Sequence, residues 1–305
     1  MLEPNPQSLG LSWQPEREVS GTGDCLFSLV IPTWNNLPYL KLCLESLERH
    51  SAFRHQVILH VNDGTDGTLD YARAHGLAFT HSPQNIGICH AVNAARGLVR
   101  ARYIFYVNDD MVFLPGWDVA LKEEIDALGT DAFYLSATMI EPYPTHSKPV
   151  IAAQDYGRDV AHFDEARLLQ DFRGFAKADW SGATRPPSLV PTRLWDLVSG
   201  YSTELSPGLY SDPDFSAKLY AAGVRIFKGV GRARVYHFVS KSLGRITPNP
   251  GRQQFMRKWG VSAAAFQRLV LRLGEPYAGP LAPPPPGPWR LARLKAWATG
   301  LGRRI

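Results

Sequence analysis

Short apolar runs alternate with helical patterns through the first third of the chain. The runs are rich in β-branched and aromatic residues, which is typical of strands buried on both faces of a sheet. Parallel strands need a crossover between them, usually a helix, so this alternation predicts an α/β fold with a mostly parallel central sheet. The predicted strands cover 26–31, 56–61, 77–80 and 103–107, and the predicted helices begin at Pro38, Thr68 and Gly87.

The second half of the chain is less regular. A strand is predicted at 133–139, a helix at 213–222, and short strands at 224–228 and 233–238. Segment 141–190 is rich in Pro, Gly and polar residues, which predicts long loops. The expected parts are a polar arm (1–25), a main domain (26–255), a helical extension (256–280), a Pro-rich linker (281–288) and a basic amphipathic tail (289–305).

Cysteine usage and hydropathy indicate the compartment. Cys25, Cys43 and Cys89 are odd in number and widely spaced, which argues against a disulfide framework or a structural zinc site. No apolar run approaches the ~20 residues that cross a bilayer. The N-terminus lacks the basic start and apolar stretch of a secretory signal. We therefore expect a cytoplasmic protein.

The tail carries much of the net charge of +5, so this charge says little about the main domain. Its apolar residues fall roughly on one side of a helix, with basic residues between them. This pattern predicts either an anchor at the anionic inner face of a membrane or a helix that packs back on the domain. The apolar residues are Trp289, Leu294, Trp297, Ala298 and Leu301.

Polar clusters follow each of the four predicted strands. In an open parallel sheet, ligands bind outside the carboxyl ends of the strands, so we expect these clusters to converge on one edge. The fourth cluster, Asn108-Asp109-Asp110, has two adjacent carboxylates, which favours a bound divalent cation over a simple turn. The other clusters are Pro32-Thr33-Trp34-Asn35-Asn36, 62–67 and Asn85-Ile86-Gly87.

Ordered motifs along the chain resemble glycosyltransferase family 2, whose members have the GT-A fold. Gly200-Tyr201, 206–208 and 211–215 resemble the acceptor-side segment of that family, and the resemblance covers roughly 27–238. It implies a Rossmann-like nucleotide-sugar half (26–115), an acceptor-binding half (116–255) and a C-terminal helical extension. The motifs are VIPTWNN, VNDGTDGT, NIGICHAVNAA and YVNDDMVFLPGWD.

The resemblance implies roles for the residues of the nucleotide half. Pro32, Thr33 and Asn35 stand where the family contacts the base and ribose. Asn62 and Asp63 match the acidic pair that reads the base edge, with an amide in the first place, so the nucleotide stays open. In the family's N-x-G…N segment fall Asn85 and Asn93, the latter a possible helix-packing residue.

The resemblance also implies a metal site. Asn108-Asp109-Asp110 matches the D-x-D motif, which makes Asp110 the direct ligand of Mn²⁺ or Mg²⁺. Asn108 then lies near the ribose or sugar, and Asp109 binds the metal through water or the donor sugar directly. His237 resembles the late histidine that completes this site in some members, although a histidine beside aromatic residues is also an ordinary core group.

Asp212 matches the general base of the family's E-D motif, with Ser211 in place of the Glu. Its position before Pro213 also predicts a helix N-cap, and Asp214 is the alternative base. A basic loop after the last strand is expected either to meet the diphosphate or a charged acceptor, or to be solvated. Its basic residues are Lys241, Arg245 and Arg252.

These features predict an inverting glycosyltransferase with a nucleoside-diphosphate-sugar donor, a divalent metal and a glycan or glycolipid acceptor. A role in cell-surface polysaccharide synthesis and no nucleic-acid partner are expected. A nucleotidyltransferase would need a Gly- and Lys/Arg-rich loop after the first strand, and a dehydrogenase would need G-x-G-x-x-G; neither is present. A non-catalytic carbohydrate-binding module would not need Asp110 and Asp212.

Overall fold

The computed structural model describes residues 9–15, 25–240 and 249–299. These residues form one central sheet with helices against it. The strands are β1 (Ser12–Gln14), β2 (Ser28–Trp34), β3 (Gln56–Asn62), β4 (Ala78–Ser82), β5 (Tyr103–Tyr106), β6 (Met111–Phe113), β7 (Phe133–Ile140), β8 (Trp180–Ser181), β9 (Ser188–Pro191) and β10 (Ile226–His237). The helices are α1 (Leu37–His50), α2 (Thr68–Ala74), α3 (Gly87–Ala95), α4 (Trp117–Leu128), α5 (Glu165–Asp171), α6 (Thr192–Leu197), α7 (Ser211–Ala221), α8 (Gly251–Trp259), α9 (Ala263–Leu269) and α10 (Pro286–Ala298).

The strand order in the sheet is β1-β4-β3-β2-β5-β9-β7-β10-β6, and β8 pairs with β10. Parallel pairing joins β4, β3, β2 and β5, and also β7 and β10. Strand β9 is antiparallel to both β5 and β7, so β7 and β10 run in the same direction as β2. Six of the ten described strands thus share one direction, and the predicted α/β class with a mostly parallel sheet is confirmed.

Helices cover both faces of the sheet, which explains the unbroken apolar sequence of β2. Leu29 and Ile31 belong to one buried core, whereas Val30, between them in sequence, belongs to another on the opposite face. Such alternation follows from the two-residue repeat of a strand. On the first face, α1 buries Leu40 and Cys43, as its helical spacing predicts.

The second half differs from its sequence-based prediction because several elements are short or interrupted. Segment 141–190, expected to be loop, contains α5, β8 and most of β9. Strand β9 has four residues, but its pairing with β5 and β7 makes it the join between the two halves of the sheet. The two strands expected at 224–228 and 233–238 are one strand, β10, with an irregularity in its pairing between Val230 and Arg234.

The ends of the chain also differ from expectation. Strand β1, inside the predicted arm, pairs with β4 at the sheet edge, and α8 crosses the predicted boundary at 255. The predicted linker is shorter, because α10 begins at Pro286. No helix of the described residues is long and apolar enough to cross a membrane.

Helix α10 packs against the domain through one side. Ala296 is buried, and Trp289 and Ala292 pack against the core formed by α3, α7 and α9. Its other side leaves Leu291, Leu294 and Trp297 about half exposed. The predicted tail therefore packs back on the domain and still presents an apolar surface, while its last residues, 300–305, lie outside the described part.

Candidate active site

A cavity of about 380 Å³ lies where the carboxyl ends of β2, β3 and β5 meet the end of β10 and the loop before α7. Its volume falls in the usual range for small-molecule sites, about 300–1,000 Å³. Nine of the eleven predicted site residues line it, so the tertiary fold brings together residues that are far apart in sequence. These are Pro32, Thr33, Asn62, Asn85, Asn108, Asp109, Asp110, Asp212 and His237.

The two remaining residues, Asn35 and Asp63, join the loops after β2 and β3 beside this cavity. The Asn35 side-chain amide donates to Asp63 Oδ2 at 3.0 Å, and its oxygen accepts from the Gly64 N–H at 2.9 Å. Hydrogen bonds from Thr65 and then from Asn35 hold the pKa of Asp63 below its usual value. Asp63 is therefore an ionised carboxylate fixed at the rim.

On the side of the cavity formed by the loops after β2, β3 and β4, two side-chain amides form hydrogen bonds with the backbone. Asn62 Oδ1 accepts from the Ile86 N–H at 2.9 Å, and Asn85 Oδ1 accepts from the Gly87 N–H at 2.9 Å. In contrast, the buried Thr33 hydroxyl has no hydrogen-bond partner among the described residues. An unpaired buried hydroxyl is costly, and Thr33 carries one at the wall of this cavity.

The carboxylate cluster after β5 is held in place by neighbours on other elements. Asp109 Oδ1 accepts from the Asn36 side-chain amide at 3.0 Å. Asp110 is almost fully buried, and its Oδ2 accepts from the Ser240 N–H at 2.8 Å. Its Oδ1 lies 3.4 Å from His237 Nε2. Asp109 and Asp110 are thus held by contacts within the protein, unlike the carboxylates of a solvated turn.

His237 lies between two carboxylates, one on each side of its ring. Nδ1 is 2.8 Å from Glu141 Oε1, while Nε2 faces Asp110. Burial alone would lower the pKa of His237, but Asp110 and Glu141 outweigh it and raise the pKa to about 9. Metal-binding histidines usually have a carboxylate on the second ring nitrogen, and Glu141 takes that place. Glu141 was missed in the sequence, because 96 residues separate it from His237.

The oxygen and imidazole donors of this cluster fit the chemistry of Mn²⁺ or Mg²⁺. Within the described residues, however, no group of three or more His, Cys, Asp or Glu side chains surrounds one point. The protein would therefore supply only part of a coordination shell. Mg²⁺ sites that include substrate phosphates have this partial character.

Asp212 lies across the cavity, at the second residue of α7, and the expected N-cap position is wrong. Tyr210 occupies the cap with a left-handed φ of 70°, and no side chain caps the helix. The Asp212 carboxylate instead accepts a hydrogen bond from the Tyr201 hydroxyl at 3.1 Å. Burial raises the pKa of Asp212 to about 6, against the opposing effects of Arg185 and Tyr201.

Asp214, the alternative base, is contradicted by its surroundings. It is completely buried, and it does not line the cavity. Its carboxylate is bound by Lys258 Nζ at 3.0 Å, Trp259 Nε1 at 2.7 Å and Ser202 Oγ at 2.5 Å. Asp214 therefore ties α7 to α8 and has no room for an acceptor.

Two motifs from different halves of the chain form one wall of the cavity. Ser206 Oγ donates to the Ile86 carbonyl at 3.0 Å, and the Ile88 N–H donates to the Pro207 carbonyl at 2.8 Å. Gly87 lies between them with a φ of 77°, and a Cβ there would stand 2.4 Å from Ser206 Oγ. Only glycine suits both that conformation and that space.

Of the predicted basic loop, Lys241 and Arg245 lie outside the described residues, and Arg252 is exposed on α8. Sequence reasoning also missed Tyr106, which lines the cavity at the end of β5. Its position as the last residue of β5, just before the carboxylate cluster, could have indicated that it lies at the cavity.

In a comparison with protein families, the model described as Glycosyl transferase family 2 matches residues 28–184, just over half of the chain. A curated relative is similar, the uncharacterized glycosyltransferase EpsJ of Bacillus subtilis (strain 168). The two are 26% identical over an alignment of 157 positions, and the match covers 47% of this chain and 45% of EpsJ. The chain thus spans less than half of that relative.

Solved structures with a similar fold include TarS of S. aureus, residues 1–349, with a TM-score of 0.54 and 18% identity over 77% of this chain and 64% of TarS. The same protein is known in complex with UDP-GlcNAc. Mannosyltransferase PcManGT of Pyrobaculum calidifontis, in complex with GDP-Man and Mn²⁺, gives a TM-score of 0.51 and 16% identity over 94% of this chain and 72% of PcManGT. At such identities the likeness shows the fold.

Proposed function

The chain belongs to glycosyl transferase family 2, and from that premise we propose that it transfers a sugar from a nucleoside-diphosphate-sugar to a hydroxyl group of a glycan or glycolipid. One observation carries this proposal. Asp212, a carboxylate with a pKa raised to about 6, lines the same cavity as Asn108-Asp109-Asp110. The group proposed to take the proton and the group proposed to receive the diphosphate thus line one cavity, which supports the proposal.

The donor half of the cavity takes the nucleotide. Pro32 and Thr33, at the carboxyl end of β2, contact the base and ribose. Asp63, ionised at the rim, reads the base edge, with Asn35 holding it. Asn62 and Asn85 contribute by fixing the β4–α3 loop through the Ile86 and Gly87 N–H groups.

Charge supports a divalent metal, Mn²⁺ or Mg²⁺, as the cofactor. The described lining of the cavity contains three carboxylates against one histidine, His237, and no lysine or arginine. A diphosphate would add negative charge to this wall, so it requires a cation. Asp110 and His237 would hold the metal, and Asn108 and Asp109 would contact the sugar and ribose. When bound, the metal stabilises charge on the leaving diphosphate oxygen.

Asp212 acts as the general base. The acceptor oxygen attacks C1 of the sugar, its proton passes to Asp212, and the bond from C1 to the diphosphate breaks. A pKa of about 6 leaves Asp212 ionised at neutral pH and still basic enough to take a proton. A single displacement of this kind inverts the configuration at C1.

Helix α10 supports a place of action at the cytoplasmic face of a membrane. Its outward side carries Leu291, Leu294 and Trp297, each about half exposed. Basic residues lie between these apolar ones, and no acidic residue occurs after Glu275. An apolar surface edged by positive charge fits the interface of anionic lipids. The proposed acceptor is therefore a membrane-bound precursor of a cell-surface polysaccharide.

The test is the release of nucleoside diphosphate from a panel that includes UDP-GlcNAc and GDP-mannose, with Mn²⁺ or Mg²⁺. Asp212→Asn removes the base, so we expect the rate to fall by about 10²–10⁴-fold while nucleotide affinity stays within about twofold. Asp70→Asn, at a side chain 86% exposed on α2, is the control and should behave as wild type. Full activity in Asp212→Asn would assign the base elsewhere.

A further inference from the structure

Tyr201 is held rigidly behind the cavity although it is not part of a helix or strand. It is 1% exposed, and its ring stacks on Phe215 with centroids 4.8 Å apart. The oxygen and the nitrogen of the Asn93 side-chain amide both hydrogen-bond to the backbone of Tyr201. The Tyr201 N–H donates to Asn93 Oδ1 at 2.8 Å, and Asn93 Nδ2 donates to the Tyr201 carbonyl at 2.7 Å. Its hydroxyl therefore has a defined direction, toward Asp212 Oδ1 at 3.1 Å.

The burial of Asp212 makes this hydrogen bond important. A carboxylate in an apolar surrounding loses its charge unless a donor or a positive group stabilises the ionised form. Since the Tyr201 hydroxyl donates to Oδ1, the proposed role as base falls to Oδ2. One oxygen is thus stabilised while the other can take a proton.

We propose that Tyr201 is a positioning residue that orients the Asp212 carboxylate and keeps it ionised for its role as base. The proposal rests on the proposed function of Asp212. It also gives Asn93 a part, since Asn93 on α3 fixes Tyr201, and Tyr201 fixes Asp212 on α7. The donor-side helix and the base are thereby linked by three side chains.

Other groups face Asp212 from every element packed around it. These groups influence the pKa of Asp212 in addition to Tyr201. Arg185 opposes the rise in the pKa of Asp212, and burial is the largest cause of that rise. The neighbours are Tyr106 on β5, Tyr134 on β7, Cys89 on α3 and Arg185 before β9.

The decisive variant is Tyr201→Phe, which keeps the ring and removes the hydroxyl. ¹³C-NMR titration of the full chain, labelled at its aspartate carboxyl groups, follows Asp212 directly, and the loss of a resonance in Asp212→Asn assigns it. We expect Tyr201→Phe to move the midpoint for Asp212 upward by about one pH unit, because the ionised form loses a donor. The acidic limb of nucleoside diphosphate release from UDP-GlcNAc or GDP-mannose should move in the same direction.

Tyr103→Phe is the matched control, because the Tyr103 hydroxyl lies near another carboxylate, Asp131 Oδ1 at 3.4 Å, away from the cavity. It should leave the Asp212 midpoint in place. An unchanged midpoint in Tyr201→Phe overturns this inference, even if activity falls through a packing defect. Full activity in Asp212→Asn overturns the proposed base and leaves the NMR result as a separate finding.

Discussion

Asp212 and Asp214 lie two residues apart on α7, and their surroundings differ. Asp214 has three donors, of which Lys258 is cationic, so its charge is neutralised within the protein. Asp212 has one neutral donor and faces the cavity. At the scale of residues, this difference in donors makes Asp214 a structural aspartate and supports the proposal that Asp212 is the base.

Glu141 provides a prediction about the metal. Glu141→Gln keeps the shape of the side chain but removes the charge beside His237 Nδ1, so the imidazole becomes a weaker ligand. We expect Mn²⁺ to bind about tenfold more weakly in the presence of UDP or GDP, measured by electron paramagnetic resonance of free Mn²⁺.

Glu123→Gln is the matched control for Glu141, since Glu123 is exposed on α4 and pairs with Arg232. Its Mn²⁺ affinity should equal that of wild type. If Glu141→Gln also binds Mn²⁺ with wild-type affinity, then His237 is not a ligand oriented by Glu141.

At the scale of elements, the start of α3 packs against the loop at Pro207, and both line the cavity. Gly87→Ala would place a methyl group 2.4 Å from Ser206 Oγ and 2.6 Å from the Pro207 Cα, at a φ of 77°. Backbone strain and this clash together predict a loss of about 1–3 kcal/mol of unfolding free energy and weaker nucleotide binding. Denaturant unfolding and calorimetric titration with UDP or GDP measure the two effects.

Gly97→Ala provides the comparison, because a Cβ at Gly97 would meet nothing within 4 Å and its φ is not left-handed. This variant should be as stable as wild type or slightly more stable. Equal behaviour of the two alanine variants would show that the contact of α3 with the loop at Pro207 is not rigid.

At the scale of the whole molecule, one continuous sheet carries both halves of the cavity. Strand β9 joins β5, which precedes the carboxylate cluster, to β7, which pairs with β10 and so supports His237. The C-terminal α10 packs on the core beneath α7 and α9 through Trp289, Ala292 and Ala296. It therefore holds a fixed orientation relative to the cavity.

The outward side of α10 provides a test of the proposed membrane contact. Replacement of Leu291, Leu294 and Trp297 together by serine removes apolar surface without touching the packed side. We expect binding to vesicles with anionic lipid, measured by sedimentation, to fall at least tenfold, with an unchanged melting temperature. Vesicles of neutral lipid are the control, and undiminished binding of the triple variant to anionic vesicles would contradict membrane contact through α10.

Local patterns in the sequence determined much of the donor half. The repeat of strand and helix predicted β2 to β5 and the helices between them, because burial on both faces requires continuous apolar residues that are visible in any short window. The same logic predicted that polar residues such as Thr33, Asn62 and Asp110 meet at one edge. The order of strands and helices along the chain was enough to predict that these residues converge.

Tertiary structure alone decided the rest, because it depends on pairing between distant segments. Strand β9 is too short for a periodic signal, and its neighbours in the sheet define it. Glu141 faces His237 across 96 residues, and Tyr201 reaches Asp212 from a loop, so neither contact has a local pattern. A sequence shows which side chains follow a strand. Which of two nearby carboxylates is the better candidate for a base, Asp212 or Asp214, depends on burial and hydrogen-bond partners that only the folded chain brings together.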